Sequence, residues 1–324
     1  MNVRERVVDV LAEVVAELLR DDLRRVLLGE DVRDGGMLGL SRAAMRDPAL
    51  GLRVLATPLT PATNLAHATG LALAGRRPIV LLNSATALLE GYAALRELGR
   101  VGATANGERA APVLIVAPTG PGFGLGGDGA DSPDAAIAAV PGLRVVVLGD
   151  AGEAPASLRA AASFDGGEAP TVLLLPRALI LRELEAHEYK PQLGRPLGAA
   201  RTVRPGSAAT VFAVGATLDA AFAAVETSGV DAAIVEVSGL APLDETGVLA
   251  AATSGKLVVT HAGGRSHGAG AELVALLADR AILHLDAPVL RVTGGDGPFT
   301  GRDEFAGLPS VEAIVAAITR VATY

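Results

Sequence analysis

Apolar residues fall into two rhythms along the chain. Val3, Val7, Val10, Leu11, Val14, Val15 and Leu18 recur at helical spacing with acids and arginines between them, which predicts an amphipathic opening helix. A short apolar run at 26–28 follows and ends on Gly29-Glu30-Asp31. From there one unit repeats: a short, nearly all-apolar run, a polar or glycine turn, then an alanine-rich helix. Strands are expected at 54–56, 79–82, 113–117, 145–148 and 172–175, with helices starting near Pro61, Ala85, Pro133 and Glu153. Strands that alternate with helices and carry almost no polar positions predict a parallel sheet covered on both faces.

The rhythm breaks at 182–204. Glu183, Glu185, His187, Glu188, Lys190, Pro191, Arg195 and Pro196 crowd this stretch with little periodicity, so it reads as a linker whose acids are solvated. A second alternating series follows, with strands at 210–214, 232–237, 257–260 and 289–292 and helices starting near Leu218, Glu245 and His267. A last helix covers 310–321, with Ser310 as its N-cap. The expected fold class is α/β, with two open, mostly parallel, doubly wound sheets. The expected division is a first domain at 1–182, a linker at 183–205 and a second domain at 206–324.

Composition narrows the function classes. Half of the 324 residues are hydrophobic and 3% are aromatic, so the core is built from alanine, valine and leucine. The formal net charge of −8 argues against nucleic acid as a partner, because no excess of lysine and arginine exists to displace counterions. There is no cysteine, which excludes disulfides, thiolate catalysis and cysteine-based zinc sites. The N-terminus resembles neither a signal nor a transit peptide, and no uninterrupted apolar run approaches the ~20 residues that span a bilayer. A cytoplasmic location without membrane association is expected.

Few motifs carry chemistry on their own. The stretch Gly120-Pro121-Gly122-Phe123-Gly124-Leu125-Gly126-Gly127-Asp128-Gly129 follows a strand, and its backbone amides are suited to an anion. It lacks the Lys-Ser or Lys-Thr ending of a phosphate loop, and its Gly122-x-Gly124-x-x-Gly127 spacing alone is weak. It reads as a loop at an active-site edge. None of the five histidines, His67, His187, His261, His267 and His284, pairs at zinc-ligand spacing. His261 ends a strand, where ligands bind in open parallel sheets. The reading preferred for it is a partly buried histidine bonded to a backbone carbonyl. His67, in mid-helix, reads as a core or interface residue.

Longer segments carry a resemblance. They are Leu28-Gly29-Glu30-Asp31-Val32, Thr57-Pro58-Leu59, Gly70-Leu71-Ala72-Leu73-Ala74-Gly75-Arg76-Arg77-Pro78 and Val140-Pro141-Gly142-Leu143-Arg144-Val145-Val146. The second half adds Leu240-Ala241-Pro242-Leu243-Asp244, Val258-Val259-Thr260-His261, Gly268-Ala269-Gly270-Ala271-Glu272, Asp286-Ala287-Pro288-Val289-Leu290-Arg291-Val292-Thr293-Gly294 and Leu308-Pro309-Ser310-Val311. In order and spacing, the chain resembles the beta subunit of the thiamine-diphosphate-dependent 2-oxo acid dehydrogenases for pyruvate and branched-chain substrates, relatives of transketolase. The resemblance implies a transketolase pyrimidine-binding domain followed by a transketolase C-terminal-type domain. It also implies a homodimer, an alpha-type subunit in an α2β2 assembly and an acyltransferase core as partners. Thiamine diphosphate would lie at the alpha–beta boundary, with magnesium and the diphosphate held by alpha and the aminopyrimidine by beta. Glu30, Leu59, Thr60, Asn64, Leu82 and Ser84 are the positions expected around that ring, and no metal ligand is expected in this chain.

The catalytic positions depart from the family. Its activating glutamate follows the Thr-Pro-Ile/Leu-Ser/Thr segment, and here Pro61 stands there, after Thr57-Pro58-Leu59-Thr60. Its loop histidine is replaced by Gly129, and the run Leu81-Leu82-Asn83-Ser84-Ala85-Thr86 lacks the family's aromatic. Three readings follow: a degenerate beta-type subunit with weak or absent cofactor binding, an active subunit of altered chemistry using Asp128 or Asp131, or an ordinary one using Glu90. Self-association is expected through the second domain and through helix faces such as Leu88, Ala94, Leu95 and Leu98.

Overall fold

The computed structural model of the chain describes residues 4–103, 111–164 and 169–324. The chain separates into two compact units, one holding the residues up to Thr119 with Ala136–Leu197, the other Gly120–Ala135 with Gly198–Tyr324. Segment 120–135 therefore belongs with the second half of the chain, and 183–205 is divided between the units.

The first unit begins with β1 (Arg4–Arg6), α1 (Val7–Asp21), β2 (Arg25–Gly29), α2 (Arg42–Met45), β3 (Val54–Ala56) and α3 (Pro61–Leu73). It continues with β4 (Arg77–Leu81), α4 (Ala87–Glu90), α5 (Tyr92–Ala103) and β5 (Leu114–Thr119). After α6 (Asp134–Ala138) come β6 (Arg144–Val147), α7 (Ala154–Ser163), β7 (Thr171–Pro176), α8 (Arg177–Ile180) and β8 (Glu183–Glu185). The opening helix starts at Val7, and Val3 lies outside the described residues. Its apolar stripe, from Val7 through Leu11 and Val15 to Leu19, is buried, as amphipathic spacing requires.

Within this unit six strands run β6-β7-β5-β4-β2-β3, all parallel. β2, β5 and β7 are buried along their whole length, which explains their unbroken apolar runs. The chain leaves β2 for β3 on one side and comes back to β4 on the other. The topological switch point therefore lies at the carboxyl ends of β2 and β4, where open α/β sheets bind ligands.

Two expectations change here. The helix expected from Ala85 is two helices, α4 and α5, with Gly91 between them. A Cβ at Gly91 would sit 3.1 Å from the Ala62 nitrogen and 3.2 Å from the Pro61 carbonyl carbon, so the bend lets the chain pass close to the start of α3. Leu88, Leu95 and Leu98 are fully buried. The apolar face expected to mediate self-association is core, so it offers no such surface.

The stretch at 183–205 is folded. β8 pairs antiparallel with β1. Lys190 reaches Asp150 and Glu153 at 2.7 and 3.1 Å, and Arg195 grips both oxygens of Glu153 at 3.0 and 2.6 Å. Lys190 and Arg195 thus fasten the segment to the start of α7, while Glu183 and Glu188 are exposed.

The second unit contains β9 (Arg201–Arg204), β10 (Ala209–Val214), α9 (Leu218–Ser228), β11 (Ala232–Val237), β12 (Gly239–Ala241), α10 (Glu245–Ala251), β13 (Leu257–His261), α11 (Ala269–Arg280), β14 (Leu290–Thr293) and α12 (Val311–Ala322). Its sheet runs β14-β13-β10-β11-β9, parallel except for β9. Ser310 caps α12 as expected, accepting from the Ala313 amide at 3.2 Å. Residues Glu304–Ala322 are apolar enough to cross a membrane by length and composition. Folded, the α-helix there has 12 residues, about 18 Å at 1.5 Å per residue, short of a ~30 Å hydrocarbon core. Its Ile314, Ala317, Ile318 and Val321 pack with α9 and Val211 in the core.

Glu153 generates a stability prediction. It is 2% exposed, so removing its carboxylate leaves the Arg195 guanidinium without its bidentate partner. Glu153→Ala is expected to lower the unfolding free energy by about 3 kcal/mol, measured by urea denaturation. A loss under about 1 kcal/mol would place the cluster among screened surface pairs.

Candidate functional site

The switch point of the first unit holds a half-satisfied carboxyl group. Glu30 directly follows β2 and is 3% exposed. Asn83, two residues past β4, donates its side-chain amide to Glu30 Oε2 at 2.7 Å. Glu30 Oε1 is buried and has no hydrogen-bond partner among the described residues. Burial raises the Glu30 pKa, and the charges of Asp31 and Glu90 add to that while the Asn83 bond opposes it. Gly29 makes the approach possible. Its φ is +155°, and a Cβ there would fall against the Leu81 carbonyl oxygen of β4. A buried orphan oxygen beside a raised carboxyl is the kind of exception that marks a site.

The same sheet edge carries the start of α3. The Thr57 amide donates to the Gly29 carbonyl at 3.0 Å, which carries β3 alongside β2 into the turn. Pro61 is the first residue of α3 and is buried. Proline suits that position because the first helical N–H has no partner inside the helix. Thr60 precedes it as N-cap without a side-chain capping bond. Asn64 is fully buried. Its side-chain amide donates to the Pro58 carbonyl at 3.4 Å, while its Oδ1 and the Thr57 hydroxyl stay without partners among the described residues. No acid lies in the first turn of α3.

The remaining expected positions divide between core and surface. Leu59 is 75% exposed and Leu82 fully buried. Ser84 lies 2.7 Å from the Thr86 hydroxyl and accepts from Arg177 Nη2 at 3.0 Å. Arg177, 1% exposed, was invisible in the sequence as a site residue, as was Asn83. The hint for Arg177 was a lone cation straight after the apolar run of β7. Glu90 ends α4 and is exposed.

The glycine loop, in the second unit, does cradle an anion, and the anion is the chain's own. Glu304 is 1% exposed. Its carboxylate accepts from the amides of Gly122 at 2.8 Å, Gly124 at 2.7 Å and Gly126 at 3.3 Å. Gly124 and Gly126 have φ of +69° and +62°, the left-handed backbone that turns successive amides inward. Nothing local in the sequence marks Glu304, which lies 182 residues from Gly122. Asp128 and Asp131 are exposed on the same loop. Burial and Asp128 raise the Asp131 pKa. At Gly129 an added Cβ would lie 2.6 Å from the Leu125 Cβ.

His261 takes the backbone-bonded reading. It is 1% exposed, and its Nδ1 lies 2.8 Å from the Ala262 carbonyl. Burial lowers its pKa, helped by Arg291 and Arg265. Gly268 and Gly270 flank the ring so closely that a Cβ on either would meet it. His67, His187, His267 and His284 are exposed, so His67 is a surface residue of α3 instead of a core one.

The glycine nest sets a pH dependence. Burial opposes the Glu304 charge, but the amides of Gly124, Gly122, Gly126 and Leu125 outweigh it and hold the pKa below the usual glutamate range. A depressed folded pKa stabilises fully above the unfolded value, and that stabilisation drains as pH falls through the folded one. The Gly122, Gly124 and Gly126 amides should therefore lose hydrogen-exchange protection below about pH 4. In Glu304→Ala, which removes the acceptor altogether, they should be unprotected at neutral pH as well. Protection independent of pH and of the substitution would contradict the nest.

Known proteins agree with this architecture. Residues 6–182 match the transketolase pyrimidine binding domain, and residues 198–309 match the transketolase C-terminal domain. The 2-oxoisovalerate dehydrogenase subunit beta of Pseudomonas aeruginosa is 30% identical over 321 residues, covering 94% of this chain and 91% of that one. The pyruvate dehydrogenase E1 component subunit beta of Leifsonia xyli subsp. xyli is 29% identical over 309 residues, covering 94% and 90%. Among solved structures, a split gene transketolase described as an inactive beta4 tetramer superposes with a TM-score of 0.75 at 19% identity, covering 98% of each chain. Transketolase from Leishmania mexicana superposes with a TM-score of 0.70 at 17% identity, covering 99% of this chain and 46% of that one. At these identities the two structures speak for the fold. By its two domains and its relatives, the chain belongs to the transketolase-like beta subunits of the 2-oxo acid dehydrogenase E1 family.

Proposed function

We propose that this chain is a catalytically degenerate beta-type subunit that serves a 2-oxo acid dehydrogenase-like assembly as a structural or regulatory member. The observation that carries this is Pro61 at the first position of α3, with no acid in that turn. The family's cofactor is thiamine diphosphate, whose aminopyrimidine is driven to its reactive tautomer by a carboxyl group at this position. Proline has neither a carboxyl nor an N–H. Thr60, Thr63 and Asn64 provide hydroxyl and amide groups, far weaker proton partners. The residues present therefore do not fit activation of the cofactor by the family's route. Gly129 in place of a histidine and the absence of an aromatic from 81–86 point the same way. The buried sheets and the core of each unit are intact, which suits a subunit kept for its surfaces. Its partners on this reading are an alpha-type subunit in an α2β2 assembly, a second copy of itself and an acyltransferase core.

One observation favours a second reading, an active subunit of altered chemistry. Glu30 brings a buried carboxyl with an unpartnered oxygen to the switch point of the pyrimidine-binding unit, and burial and Asp31 keep it inclined to hold its proton. In that case Glu30 would supply the acid that α3 lacks.

Hydrogen–deuterium exchange at the reactive carbon of thiamine diphosphate separates the readings. It is measured on this chain assembled with an alpha-type subunit, magnesium and the cofactor. A positioned acid–base group contributes about 10²–10⁴-fold, so exchange is expected to be slower than in an ordinary 2-oxo acid dehydrogenase by at least that factor. Exchange at the ordinary rate would overturn the degenerate reading. Pro61→Glu should restore part of the rate. Glu30→Gln should leave the residual rate unchanged if the chain is degenerate and abolish it if Glu30 is the acid.

A further inference from the structure

The ring of His261 occupies a closed slot in the second unit. β13 ends on this residue, and Val259 and His261, two positions apart, both face α11. The start of α11 lies directly over the ring. A Cβ on Gly268 would strike the ring at Cε1, and one on Gly270 would come 2.5 Å from Cδ2 and 2.9 Å from Val259 Cγ1. Two glycines thus let the helix settle onto an imidazole that is 1% exposed. At these distances the ring can leave only if the Gly268–Gly270 start moves.

The hydrogen bonding of the slot admits one protonation state. Nδ1 lies 2.8 Å from the Ala262 carbonyl, and a carbonyl only accepts, so Nδ1 carries the proton. Nε2 is buried without a partner among the described residues, so the neutral ring presents a bare lone pair there. A second proton would turn that lone pair into a charged N–H with no acceptor. A bare buried cation costs far more than a bare buried acceptor.

The neighbours offer it no relief. Arg291 pairs in register with Val259 and so shares the α11 face of the sheet with the ring. Arg265, in the connection between β13 and α11, donates to the Arg291 carbonyl at 3.0 Å. His267 in that connection and Glu272 in the first turn of α11 are exposed. Asp296, after β14, accepts from the Arg265 backbone amide at 3.1 Å. β10 brings no charged residue. Burial lowers the His261 pKa, the Ala262 bond opposes it, and the charges of Arg291 and Arg265 add to the lowering.

We propose that His261 is a pH-sensitive latch on α11: the neutral ring seats the helix start, and protonation drives the ring out and lets residues 262–270 detach. A histidine released from the slot takes up its proton at about pH 6.5, and a seated one only at lower pH. The seated state is therefore at full strength above about pH 6.5 and weakens as pH falls below it.

Hydrogen–deuterium exchange on the full chain tests this, with each rate divided by the intrinsic rate at that pH. The amides of residues 271–274 should lose protection severalfold, up to about tenfold, between pH 7.5 and 5.5. Those of α9 and α12, in the same unit, should keep theirs. His267→Gln removes the exposed histidine of the same connection and should leave the step in place. His261→Gln keeps a donor for the Ala262 carbonyl and cannot gain a charge, so its protection should stay constant across the range. Should His261→Gln fail to fold, the wild-type and His267→Gln measurements decide alone. Flat protection of residues 271–274 in the wild-type chain overturns the proposal. So does an equal loss in α9 and α12, a step that persists in folded His261→Gln, or one that vanishes in His267→Gln.

Discussion

A carboxylate taken out of water must be met by donors or cations, and among the described residues four glutamates are buried under that constraint. Glu153 is met by Arg195 and Lys190. Glu236 is met by Arg201 at 2.8 Å. Glu304 is met by backbone amides alone. Each solution ties together segments distant in sequence. Glu153 holds down the segment after β8, Glu236 binds β11 to the edge strand β9, and Glu304 holds the glycine loop to the approach to α12. Glu30 is the exception, with one oxygen satisfied by Asn83 and the other left open. An imbalance of this kind is expensive in a core and useful in a site.

Its location follows from topology. A parallel sheet whose chain changes direction leaves a crevice where the strands on either side diverge. Glu30 and Asn83 close that crevice in the first unit. In the second unit the equivalent place lies between β10 and β13, and the Thr217 hydroxyl fills it, its single proton shared between the Val214 carbonyl at 3.0 Å and the Thr260 carbonyl at 3.1 Å. The hydroxyl is buried there. Thr260 Oγ1 and His261 Nε2, at the end of β13, are also buried without partners among the described residues, so what sets the first crevice apart is that its unsatisfied group is a carboxyl.

Much of this was legible in the sequence because burial writes itself into apolar runs. β2, β5, β7, β10, β11 and β13 each lie where a mostly apolar run predicts a strand. What escaped were contacts between remote positions. Glu304 carries no local signal, so the loop it anchors read as a free active-site edge. Charge density at 183–205 resembled a solvated linker because ion pairs with Asp150 and Glu153 cannot be read from one segment. Leu88, Leu95 and Leu98 looked like surplus apolar surface because α3, which covers that face, is separated from them by a strand and a turn. Periodicity reports that a face is buried and is silent on what buries it. At the candidate site, Glu30 and Asn64 stood out by resemblance, while Asn83 and Arg177 became visible only through their bonds.

The first turn of α3 shows why a fold and its chemistry can part company. At the first helical position a glutamate is favourable for its charge, since it sits at the positive end of the helix dipole, an effect worth about 0.3–1 kcal/mol. Proline is favourable there for a different reason, its fixed φ and its missing N–H. Exchanging one for the other moves stability little, because each satisfies the helix start in its own way. The same exchange removes the only carboxyl group the family's proton chemistry would find on that turn. Selection for folding is therefore nearly blind to the change, and selection for catalysis is acutely sensitive to it. On the proposed reading, a beta-type chain released from catalysis is free to carry proline at this position without loss to its sheets, caps and buried ion pairs, and this molecule carries Pro61 at the start of an intact α3.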